Sequence, residues 1–134
     1  MFQAIPLLGW FGSGYRVTAA LKKISENFAL LEPAVRTSSA ADYIPVIGDR
    51  VVRRTNAGAQ TLTIAPSATQ AFDIGHSILA IQDAAGALTI VAGAGVTINK
   101  LASKTLVCAG QNGVVRLTKL ATNVWNASGD LTAA

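Results

Sequence analysis

The chain has 134 residues, enough for one domain with a real core and too few for two full ones. Charged residues make up 13% of it, about half the roughly 25% of an ordinary soluble domain, while hydrophobic residues make up 51%. The net charge is +4, but the basic residues sit in two clusters (Arg16, Lys22, Lys23 and Arg50, Arg53, Arg54) without interleaved aromatics, which argues against direct nucleic-acid binding.

Residues 1–15 read as an irregular arm, because Pro6, Gly9, Gly12 and Gly14 prevent a stable helix. The arm still carries Phe2, Ile5, Leu7, Leu8, Trp10 and Phe11. Burying one such side chain fully stabilises by about 1.5–3 kcal/mol, so the arm is expected to lie against protein. It has no basic n-region and is too short to span a bilayer, so no signal peptide and no membrane partner is expected.

Residues 16–32 read as one helix. Val17, Leu21, Ile24, Phe28 and Leu31 follow an amphipathic stripe, Ser13 or Thr18 offers a cap, and Pro33 marks the end. The stripe fits packing on the chain's own sheet or on identical helices. Residues 34–48 read as a linker, dividing the chain into an arm, helix and linker (1–48) and a β-domain (49–134).

From Arg50 the pattern changes to alternation broken by turns. Strands are expected at 50–55, 60–65, 77–82, 88–90, 96–98, 105–108, 114–120 and 123–126, with turns at Asn56–Ala59, Asp83–Gly86, Gly93–Gly95 and Gly110–Gly113. About eight short strands with a turn roughly every ten residues indicate a mainly β fold, a sandwich or barrel. Leu62, Ile64, Ile78, Leu88, Ile90, Val96, Ile98, Val115, Leu117 and Trp125 are the expected core.

The residues that carry chemistry are sparse. One histidine, His76, and one cysteine, Cys108, cannot build a four-ligand zinc site, and no intrachain disulfide is possible. Cys108 follows Leu106 and Val107 and reads as a small core hydrophobe. Asp73 and His76 are neighbours at the start of a strand, where a polar turn is ordinary. Gly93-Ala94-Gly95 lies between strands, not before a helix, so it is no dinucleotide site. Neither catalysis nor a metal or cofactor is expected. Low charge is instead typical of surfaces covered by copies or partners.

From Phe72 to Leu131 the chain resembles a β-module of tailed-phage structural proteins. The resemblance rests on Gly75-His76-Ser77-Ile78, Ile81-Gln82-Asp83, Gly86-Ala87-Leu88-Thr89-Ile90, Ala94-Gly95-Val96-Thr97-Ile98-Asn99, the run Val115 to Trp125, and Gly129-Asp130-Leu131. Lys22-Lys23-Ile24-Ser25-Glu26-Asn27-Phe28 is similar to a short helix that opens phage fibre and decoration proteins. The resemblance implies a jelly-roll-like β-sandwich and a virion role: a capsid decoration (cementing) protein that bridges subunits of the major capsid protein and associates with itself as a homodimer or homotrimer. It implies assembly in the host cytoplasm and a place on the capsid exterior. A tail or head fibre, spike or neck component is the alternative. The expected contact residues are the six apolar residues of the arm and the basic set Arg50, Arg53 and Arg54, the latter against an acidic surface.

Overall fold

The computed structural model describes residues 34–134, and over them the alternation of apolar and polar residues resolves into strands. In chain order these are β1 (Ala34–Ser38), β2 (Asp42–Tyr43), β3 (Asp49–Arg54), β4 (Gln60–Ile64), β5 (Ser77–Gln82), β6 (Leu88–Ala92), β7 (Thr97–Asn99), β8 (Lys104–Cys108), β9 (Val114–Ala121), β10 (Val124–Gly129) and β11 (Leu131–Ala133). They form two mixed sheets. One has six strands in the order β1-β3-β5-β9-β10-β7, the other five in the order β11-β8-β6-β4-β2.

The expected strands are present. The stretch 34–48, expected as a linker, instead contains β1 and β2 and belongs to the β-domain. Its strands carry no apolar alternation because they lie at sheet edges, held by backbone pairing to β3 and β4. β11 was also not anticipated. The expected helix and arm lie outside the described residues.

From β1 to β9 the chain alternates between the sheets. β1, β3 and β5 run side by side and parallel in the larger sheet, and β2, β4 and β6 do so in the smaller. The pairs β1–β2, β3–β4 and β5–β6 are thus successive rungs of a flattened coil. The second and third rungs stack in a fixed register: Val51 lies beside Leu79 and Arg54 beside Gln82, while Gln60 lies beside Leu88 and Ile64 beside Ala92. In every one of these pairs the partner stands 28 positions further along. β8 and β9 then run antiparallel to β6 and β5, so this rung is traversed backwards. β10 and β11 restore the original direction, and β7 closes the larger sheet parallel to β10.

Side chains alternate across a strand, so each sheet turns one set inward. Val52, Ile78, Ala80, Val115, Leu117, Trp125 and Ala127 from the larger sheet meet Leu62, Ile64, Leu88, Ile90, Cys108 and Leu131 from the smaller. This single core makes the domain sandwich-like. Phe72, from the long β4–β5 connection, closes it edge-to-face on Trp125, with ring centroids 5.5 Å apart.

Turn chemistry completes the rungs. The turn before β4 and the turn before β6 stack so closely that a Cβ on Gly86 would overlap the Gly58 carbonyl oxygen. Asn123 adopts φ 57° at the β9–β10 turn, an angle that asparagine tolerates better than most residues. Gly129 adopts φ 108°, and the Asp130 carboxylate after it accepts from the Val114 N–H at 2.9 Å, tying the end of β10 to the start of β9.

Candidate interaction site

Asp49, fully buried at the start of β3, organises the polar end of the domain. Its carboxylate accepts from Tyr43 Oη at 2.6 Å, from the Val46 N–H at 3.0 Å and from Arg36 Nε at 3.1 Å. Its backbone oxygen lies 3.0 Å from His76 Nε2. One side chain therefore fixes β1, β2, the 44–48 loop and, through its backbone, the start of β5. Desolvation, reinforced by the hydrogen bond to the nearby carboxylate, pushes the Tyr43 phenol up to about 12. The same carboxylate raises the Arg36 guanidinium.

The three expected arginines separate. Arg53 is exposed on the outer face of β3 and pairs with Asp83 at 2.5 Å. Arg50 is half-buried. Arg54 is fully buried, so it does not reach a partner surface from this domain, contrary to the expectation. Its guanidinium donates to the backbone oxygens of Ser38, Ala40 and Thr61 and lies 5.5 Å from the centre of the Tyr43 ring. Burial lowers its pKa, opposed by the charge of Asp42. An arginine in a charged run reads as surface. Only the long-range approach of three backbone carbonyls makes an interior position affordable. Phe2, Ile5, Leu7, Leu8, Trp10 and Phe11 lie outside the described residues.

The remaining polar groups serve the fold. His76 packs on Phe72, with ring centroids 4.9 Å apart, while Asp73 is exposed in the adjacent turn. Lys119 is buried and donates to the Phe72 carbonyl at 2.6 Å and to Ser67 Oγ at 3.0 Å, pinning the β4–β5 connection. Among the described residues no three His, Cys, Asp or Glu side chains stand together as a metal site, and no helix is long and apolar enough to cross a membrane. A pocket of about 360 Å³ opens beside β10 and β11, flanked by Lys100, Leu101 and Lys104. The Lys104 ammonium there donates to the Leu131 carbonyl at 3.3 Å.

Both outward faces mix hydroxyl and aliphatic side chains. The smaller sheet turns out Thr61, Thr63, Thr89 and Thr105 with Val91 and Val107. The larger sheet turns out Thr37, Ser77 and Thr118 with the half-buried Val51, Leu79, Ile81 and Val114. Registers place Val35, Val51 and Leu79 in one row that ends on Arg116, and Arg53, Ile81 and Val114 in the next. β5 reads Ser-Ile-Leu-Ala-Ile-Gln, apolar on both faces, which is the composition of a strand covered on both sides. This face, flanked by Arg53 and the exposed Arg116, was not singled out by sequence. Its signal was the run Ile78–Ile81, where alternation fails.

No family model, curated protein or solved structure matches this chain.

Proposed function

We propose that this chain is a non-enzymatic structural protein of a virion, a β-module that decorates and stabilises a phage capsid by bridging subunits of the major capsid protein. The observation that carries the reading is the outer face of the larger sheet. Val51, Leu79, Ile81 and Val114 form an aliphatic centre, with Arg53 and Arg116 beside it and Asp83 as the acid paired there. Such a face suits an apolar surface bearing carboxylates, where apolar burial supplies affinity and the arginines orient the encounter. Arg50 and the apolar arm residues Phe2, Ile5, Leu7, Leu8, Trp10 and Phe11 are the further partner contacts of the proposal. The resemblance of the β5–β11 region to phage modules supports the same role, with the protein on the capsid exterior.

The second reading, a fibre, spike or neck component, draws on the stacked parallel rungs, a geometry suited to growth along one axis. A jelly-roll likeness draws on the antiparallel ladders β5–β9–β10 and β6–β8–β11, and the parallel rungs are its departure from that pattern.

Quantitative mass spectrometry of virions purified from a lysate in which this protein is made tests both. Decoration requires a copy number comparable with that of the major capsid protein. A fibre or neck part requires a few copies set by tail symmetry. Absence from the particles sinks both readings. In the first case the pair Leu79→Ser and Arg116→Glu should keep the far-UV spectrum and lose incorporation.

A further inference from the structure

We infer that the pocket beside β10 and β11 is a binding site for a small organic carboxylate with an apolar body. Its volume is about 360 Å³, within the range of small-molecule sites. An unequal pair of strands creates it. β7 ends at Asn99, opposite Asn126, while β10 runs on to Gly129. Past Asn126, β10 has no neighbouring strand on that side among the described residues. The chain meanwhile turns between Leu101 and Lys104, where the Lys104 N–H donates to the Leu101 carbonyl at 3.0 Å, and enters β8 in the other sheet. The pocket is the gap between this turn, the free end of β10 and Leu131 of β11. All of its lining residues lie between positions 100 and 131. The strand order sets β10 four places away from β1, the strand into which residues 1–33 lead.

The sign of the charge selects an anion. Lys100 and Lys104 both line the pocket, and no aspartate or glutamate does. The ion pairs among the described residues, Arg36 with Asp49 and Arg53 with Asp83, involve neither lysine. A carboxylate placed between the two ammonium groups would gain charge-assisted hydrogen bonds. Lys104 is already shared with the Leu131 carbonyl at 3.3 Å, so the pair suits one negative charge better than the two of a phosphate.

The apolar lining selects an organic body. Ala127 and Leu131, both buried core residues, form the floor. Leu101, at the lip, is 70% exposed, more than any other large hydrophobic side chain among the described residues. A guest with hydrocarbon would remove this surface from water, whereas a bare hydrated ion would not. A free organic acid and the C-terminal residue of an apolar peptide share this chemistry.

The test is titration of the full chain with N-acetyl-leucine, followed by amide chemical shifts. Saturable changes centred on Lys100, Leu101, Ala127 and Gly129 are expected. N-acetyl-leucinamide lacks the charge and acetate lacks the body, and each should bind about tenfold more weakly. Lys100→Gln and Leu101→Ser, both at exposed positions outside the core, should keep the far-UV spectrum and weaken N-acetyl-leucine about three- to tenfold. A longer peptide ending in leucine separates the two sources: tighter binding than N-acetyl-leucine identifies a peptide terminus, and equal or weaker binding a free acid. Absence of saturable shifts at the pocket overturns the inference. So does inorganic phosphate binding more tightly than N-acetyl-leucine, or an affinity that both variants leave unchanged. The inference goes beyond the capsid reading and is independent of it, since carboxylate binding and incorporation into virions are measured separately and either can fail alone.

Discussion

Asp49 has no exposed surface, yet its charge is matched locally by one guanidinium, one phenol and one backbone amide. Hydrogen bonds to a charged group stabilise by about 1.5–3 kcal/mol each, and leaving one partner buried and unmet costs a similar amount. Tyr43 reports on this site through pH. Its phenol is raised from about 10 to about 12 in the fold, so the native state keeps a proton that the unfolded chain loses first. The stabilisation is fully present below pH 10 and is lost as pH rises from 10 to 12. Thermal melts across that window should fall more steeply for the parent than for Tyr43→Phe, whose plateau below pH 10 should itself sit lower by about 1 kcal/mol. Parallel curves would show that the phenol is not held by Asp49. None of this was legible in the sequence, where Asp49 reads as an ordinary residue before a strand. Its partners come from three different segments, and the spacing of Arg36, Tyr43 and Val46 encodes no common destination. Arg54 fails to announce its burial for the same reason.

The strands themselves were legible, because alternation records which side chains face a core. Leu62 and Ile64, Leu88 and Ile90, Val115 and Leu117 all lie where their period places them. Alternation does not record the neighbour, so the parallel rungs were hidden. The 28-residue offset leaves only a faint trace: across the paired strands and the turn between them, Ala57-Gly58-Ala59 and Thr61 recur as Ala85-Gly86-Ala87 and Thr89. β1 and β2 were missed because exposed edge strands need no apolar pattern. The stacked turns make a test of the rungs. Gly86 faces the Gly58 carbonyl with no room for a methyl group, whereas a Cβ at Gly58 meets only Asn56 Oδ1, at 3.4 Å. Gly86→Ala should destabilise by about 1–3 kcal/mol through overpacking against backbone. Gly58→Ala should fall within about 1 kcal/mol of the parent in either direction. Urea midpoints at constant m-value measure both. Equal effects at the two glycines would mean that the turns do not stack.

At the scale of the molecule, the core formed by the described residues runs from Val52 to Leu131, and both sheets contribute to it. The chain divides into Met1–Glu32 and Pro33–Ala134, and the second unit contains every strand described. Most of its buried polar groups are met from within: Asp49 by Arg36, Tyr43 and Val46, Lys119 by Phe72 and Ser67, and Gln60 by Gly86, while Arg54 Nε is buried without a partner among the described residues. A chain of about a hundred residues buries enough surface to fold alone. The segment 33–134 is therefore expected to unfold in one cooperative transition, with its far-UV spectrum β-rich and its m-value in urea near that of other domains of its size, about 1–3 kcal/mol/M. Refolding should take milliseconds to seconds, since neighbouring strands of the coil lie far apart in sequence and loop closure precedes their reward. Loss of cooperativity on removing residues 1–32 would show that the first unit completes the core instead of reaching out to a partner.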